Sequence, residues 1–109
     1  MIRATILHNR AGEAVGFAVK NHGDPVVCAA VSMLTLNTVN SIEKLTALTR
    51  QDFNCFWNDD GGFIVFALKR SSLRSTGAGL LLDALVLGLY DVSTQYPNDI
   101  QFDSRSISG

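Results

Sequence analysis

The chain opens on strict alternation. Ile2, Ala4 and Ile6 alternate with Arg3, Thr5 and Leu7, and Val15, Phe17 and Val19 resume the pattern through Lys20. A period of two places one set of side chains on a buried face, so both segments predict strands. Asn9-Arg10-Ala11-Gly12 between them is turn chemistry, and the pair predicts a hairpin. Then the period changes. Val27, Val31, Leu34, Thr38, Ile42, Leu45 and Leu48 recur at helical spacing, which predicts a helix reaching Leu48 with that stripe on the core. Its first half is apolar nearly all round, the sign of burial on more than one side, and Glu43 and Lys44 mark its exposed end.

Alternation returns with Phe53, Cys55 and Trp57 against Asp52, Asn54, Phe56 and Asn58. Asn58-Asp59-Asp60-Gly61-Gly62 predicts a hairpin turn and Phe63–Lys69 the returning strand. Cys55 then sits on a strand among aromatics, where a thiol is expected to be inert packing. Ser71–Gly79 is a small-residue connection. A second helix is expected from Ala78 or Gly79 to Gln95, stopped by Pro97. Leu80, Leu81, Leu82, Leu85, Val86, Leu87 and Leu89 exceed one buried stripe, so this helix is either wholly buried or shared with a subunit interface. Ile100 and Phe102 predict a last short strand, and Ser104–Gly109 a frayed tail. The order ββαββαβ predicts an α+β two-layer sandwich: an antiparallel or mixed sheet with both helices on one face. All 109 residues are expected to form one domain.

Composition narrows the class. The chain is 47% hydrophobic, 17% charged and carries a net charge of −1. Its basic residues are scattered apart from Lys69, Arg70 and Arg74, which is no footprint for nucleic acid. The apolar run of the second helix is broken by Asp83 and too short to span a bilayer, so no membrane partner is expected. Met1-Ile2-Arg3 begins no signal-peptide pattern, which predicts a reduced cytoplasmic setting with Cys28 and Cys55 unpaired. No Cys/His spacing suits zinc and no glycine-rich phosphate loop follows a strand, so neither metal nor organic cofactor is expected.

The segment His22-Gly23-Asp24-Pro25-Val26-Val27-Cys28 is the chemically specific one. Asp is among the best N-caps, and Pro suits the first helical position because its missing N–H has no partner to lose there. With Asp24 as the cap, Cys28 falls in the first turn or just past it, where unsatisfied N–H groups favour thiolate over thiol. His22 lies just before the cap. A thiol at a helix start with an imidazole beside it suits a cysteine nucleophile and its base. Cys28 also stands in an uncharged run from Pro25 to Asn37, and there a packed core thiol is the competing reading.

Val26-Val27-Cys28-Ala29-Ala30-Val31-Ser32 resembles the core motif of the ribosomal-processing cysteine protease family, Prp. The resemblance continues through Thr38-Val39-Asn40-Ser41-Ile42, the turn at Asp59–Gly62, and the second helix with Tyr96, Asn98 and Ile100 after it. It implies an α+β fold, a homodimer, and a Cys/His protease that trims an N-terminal extension from a large-subunit ribosomal protein. By motif position it makes Cys28 the nucleophile, His22 the base and Ser32 the helix serine that supports by hydrogen bonding. Two departures stand out. Only five residues separate His22 from Cys28, where the family usually has a longer glycine-containing loop. Pro25 also stands where the family tends to have Asp; Asp24, displaced by one, takes the capping role as a supporting residue, and the resemblance does not extend to its orienting the histidine. The alternative is a non-catalytic peptide- or protein-binding module of the same fold with a shortened active-site loop. Thiol redox chemistry is weaker still, because no Cys-x-x-Cys is present.

Overall fold

A computed structural model describes residues 1–58 and 62–107. The elements are β1 (Ile2–His8), β2 (Ala14–Lys20), α1 (Pro25–Leu45), β3 (Phe53–Asn58), β4 (Phe63–Leu68), α2 (Ala78–Gln95) and β5 (Ile100–Ser106), with a 3-10 turn over Ser71–Thr76. The five strands form one mixed sheet in the order β3-β4-β2-β1-β5. The expected α+β architecture and element order hold. Among the described residues only β1 and β5 pair in parallel, Ile2 opposite Ile100 through His8 opposite Ser106.

The β1–β2 turn is built by Asn9. Its Oδ1 accepts from the N–H of Ala11 at 3.0 Å and of Glu13 at 2.9 Å, closing the loop around a buried amide. The predicted turn over Asn58–Gly62 includes residues 59–61, which lie outside the described residues.

One face of the sheet meets both helices. Ile2, Ala4, Phe17, Val19, Ile64 and Phe66 join Val27, Val31 and Ile42 of α1 and Leu82, Leu85 and Leu89 of α2 in one core. Phe17 and Phe66 stack at 5.6 Å, and Phe53 packs tilted on Phe66 at 4.9 Å. Burying each large apolar side chain contributes roughly 1.5–3 kcal/mol, so this face carries most of the stability.

Several expectations change here. α1 stops at Leu45 rather than Leu48. The Thr46 hydroxyl donates back to the Ile42 carbonyl and accepts from the Leu48 N–H at 3.1 Å, so the chain turns out of the helix. Leu48 returns to the core from outside the helix, while Leu45 is exposed. Thr35 and Val39 complete the buried stripe instead, the Thr35 hydroxyl donating to the Val31 carbonyl at 2.9 Å. α1 is long and apolar enough to cross a bilayer by length and composition, and a third of its most apolar stretch is buried inside the fold. α2 is not wholly buried, since Leu80, Leu87 and Tyr90 face outward. The tail is not frayed from Ser104: β5 runs to Ser106, and the Ile107 N–H donates to the His8 carbonyl at 2.9 Å. Pairing with β1 holds those residues, a contact invisible to local pattern.

Candidate active site

β2 ends in a left-handed turn. Asn21 has φ +74°, a region that Asn tolerates better than most residues, and it sends the chain across the end of the sheet. Gly23 passes close: a Cβ there would lie 3.2 Å from Ile2 Cγ1 and 3.4 Å from the Asp99 carbonyl. Asp24 then caps α1, its Oδ1 accepting from Val26 N–H at 2.9 Å and Val27 N–H at 3.4 Å. Its backbone carbonyl takes the Cys28 N–H at 2.8 Å. The Asp24 carboxylate therefore serves the helix start, as the Asp-Pro pair predicts.

Cys28 is half-buried on the flank of α1. The Gly23 N–H points at its Sγ at 3.3 Å, and the thiol lies 3.8 Å from the Gly23 carbonyl. These contacts hold the sulfur over the loop that carries His22. The His22 ring, in turn, lies against Gly62 at the start of the returning hairpin strand.

His22, Cys28 and Ser32 line one cleft of about 120 Å³. Ile2 and Val19 come from the sheet, Val31, Thr35 and Leu36 from α1, and Trp57, Gly62, Phe63 and Ile64 from the second hairpin. The result is a small apolar slot with thiol, imidazole, hydroxyl and the Asn21 amide on its walls. Three of the four residues singled out in the sequence meet there, while Asp24 stands behind as the cap. Asn21, Trp57 and Gly62 are the site residues that sequence reasoning missed. The turn signal at Asn58–Gly62 was visible, but not the place where that hairpin lands.

Cys55 departs from expectation. It is exposed on β3 rather than packed away, because β3 is an edge strand whose side chains beyond Phe53 are uncovered. Partial burial of the thiol nevertheless pushes its pKa above the ordinary value; Arg50 pulls it down and Glu43 adds a smaller upward push. Among the described residues no group of three or more His, Cys, Asp or Glu side chains is placed to hold a metal ion.

The family model of cysteine protease Prp matches residues 1–101. The chain belongs to the cysteine protease Prp family. The essential ribosomal processing protease Prp of S. aureus, solved with a covalently linked product peptide, is similar at 23% identity and a TM-score of 0.83, over 96% of this chain and 100% of that one. The same S. aureus protease with a substrate peptide gives 22% identity and a TM-score of 0.84 at the same coverage. SMU.848 from Streptococcus mutans is 26% identical with a TM-score of 0.82, over 98% of this chain and 96% of that one. No curated protein sequence matches. The cleft thus belongs to a Prp fold, and cysteine proteolysis is the chemistry of its family.

Proposed function

We propose that this Prp-family chain is an endopeptidase with Cys28 as nucleophile and His22 as base, trimming the N-terminal extension of a bacterial large-subunit ribosomal protein. The observation that carries the reading is that Cys28 and His22, from opposite sides of the helix cap, line the same small cleft. The S. aureus relative, a ribosomal processing protease solved with peptides, supports the substrate class. Sγ attacks the scissile carbonyl as its proton passes to His22, which then protonates the leaving amine. Water hydrolyses the resulting thioester.

The oxyanion needs a donor beside the sulfur. Val26 and Val27 N–H groups are taken by the Asp24 carboxylate, and Cys28 N–H by the Asp24 carbonyl. The Gly23 N–H, 3.3 Å from Sγ, is the donor placed to meet developing negative charge. Ser32, one helical turn beyond Cys28 on the cleft wall, supports by hydrogen bonding to the bound peptide.

The proposal includes a reduced cytoplasmic setting and a homodimer. Leu80 and Leu87 on α2 are 75% and 67% exposed, more apolar surface than a solitary helix usually shows, and Met33 on α1 is 67% exposed. Sedimentation at micromolar concentration is expected to give a dimer, and a monomer would remove that part.

The deciding experiment incubates the ribosomal protein precursor of the source organism with this protein and reads the released peptide by mass spectrometry. Cys28→Ala is expected to bind the precursor without cutting it. Binding without cleavage by the unaltered protein would leave the peptide-binding module of the same fold. A precursor that carries no extension would remove the processing role.

A further inference from the structure

Strand β3 ends the sheet, with β4 on one side and no strand on the other among the described residues. Its hydrogen-bonding phase can be read from one bond. Lys69 N–H donates to the Asp52 carbonyl at 3.0 Å, and the two residues continue the register of Phe53 opposite Leu68. Opposed residues in an antiparallel pair alternate between exchanging bonds and turning their backbone groups away. Asn54, Phe56 and Asn58 therefore face β4 with their backbone, while Phe53, Cys55 and Trp57 present theirs to the open edge.

The edge lacks the usual protection. Exposed edges are normally guarded by Lys, Pro, a bulge or a short strand. Phe53-Asn54-Cys55-Phe56-Trp57-Asn58 contains no charge and no proline, and Phe56 and Trp57 are 59% and 55% exposed. Trp57 connects this edge to the cleft, since its side chain lines the slot that holds Cys28. α1 forms the facing wall through Ser32 and Leu36, and Glu43 lies further along it, close enough to act on the Cys55 thiol. Six residues of strand span about 20 Å, and Cys28 to Glu43 on α1 about 22 Å, so edge and wall match in length.

We propose that β3 is the substrate-docking edge: an extended peptide pairs with the outward backbone groups of Cys55 and Trp57, and so delivers its scissile bond to Cys28. This rests on the endopeptidase reading of the same cleft. Backbone pairing supplies affinity whatever the peptide sequence, and the apolar slot beside Trp57 selects the side chain that enters it.

The test uses a synthetic peptide spanning the N-terminal extension and cleavage site of a bacterial large-subunit ribosomal protein, with single N-methyl amides placed along it. Binding to Cys28→Ala and cleavage by the unaltered protein are both measured. Affinity is expected to fall about tenfold at alternate amides and to persist at those between, the signature of a paired strand. Cys55→Pro removes an N–H that points away from β4, and Cys55→Ala, which keeps it, is the reference. KM is expected to rise about tenfold in the proline variant relative to the alanine one, with iodoacetamide labelling of Cys28 equal in both. Cleavage that tolerates every N-methyl group overturns edge docking while leaving the endopeptidase reading in place. So does a change of oligomeric state in Cys55→Pro at constant KM, which would assign the edge to a second copy of the chain. No binding and no cleavage of any precursor peptide ends both readings.

Discussion

The imidazole of His22 is seated on Gly62: a Cβ at Gly62 would lie 2.7 Å from the ring Cε1, 2.9 Å from Nε2 and 3.0 Å from Nδ1. Gly62 also has φ +57°, so any side chain there meets both a backbone penalty and the ring. Gly62→Ala is expected to displace the imidazole proposed as the base and lower kcat/KM by on the order of a hundredfold. His22→Ala is expected to lose about two orders of magnitude with little change in melting temperature, because the side chain is exposed. The double variant should be no worse than His22→Ala, since both changes remove the same interaction. Additive losses in a kinetic double-mutant cycle would refute this coupling.

The two thiols should separate by pH. Burial raises the Cys55 pKa above its ordinary value, so less thiolate is present at neutral pH and its alkylation curve moves to higher pH. Iodoacetamide at pH 7 is expected to label Cys28 first despite the greater exposure of Cys55. Peptide mass mapping over a pH series reads the order directly, and Cys55 labelled first would contradict it.

Asp24 stabilises α1 by accepting from two N–H groups at its start. Asp24→Ala is expected to cost about 1 kcal/mol, and Asp24→Asn much less, because the amide oxygen can accept the same bonds. Denaturant titration measures the difference. A cost in Asp24→Asn equal to that in Asp24→Ala would show that the charge matters more than the cap.

Arg74 ties the first hairpin to α2. Its guanidinium donates to the Ala14 carbonyl, pairs with Asp83 at 3.0 Å and reaches Glu13 at 3.6 Å. Both carboxylates are about half exposed, which limits the ionic part to about 1 kcal/mol. The bond to Ala14 adds about 1 kcal/mol. Arg74→Ala should therefore lower stability by about 2 kcal/mol without affecting Cys28 labelling, as thermal and chemical unfolding would show.

Local interactions made much of the architecture legible. The alternation of Ile2, Ala4 and Ile6, the Asp24-Pro25 cap and the stop before Pro97 act within a few residues, and each appears where the sequence puts it. The placement of Cys28 at the start of α1 follows from the same cap. Tertiary structure decided the rest. β5 runs to Ser106 because it pairs with β1, with Asp103 accepting from the Thr5 hydroxyl across 98 positions of sequence. Cys55 is exposed because β3 lies at the sheet edge, and a period of two is the same at an edge as at the centre. Trp57 and Gly62 join the cleft only because the second hairpin packs beside the start of α1. A sequence pattern specifies which face of an element is apolar; which neighbour covers that face is settled by packing between segments far apart in the chain.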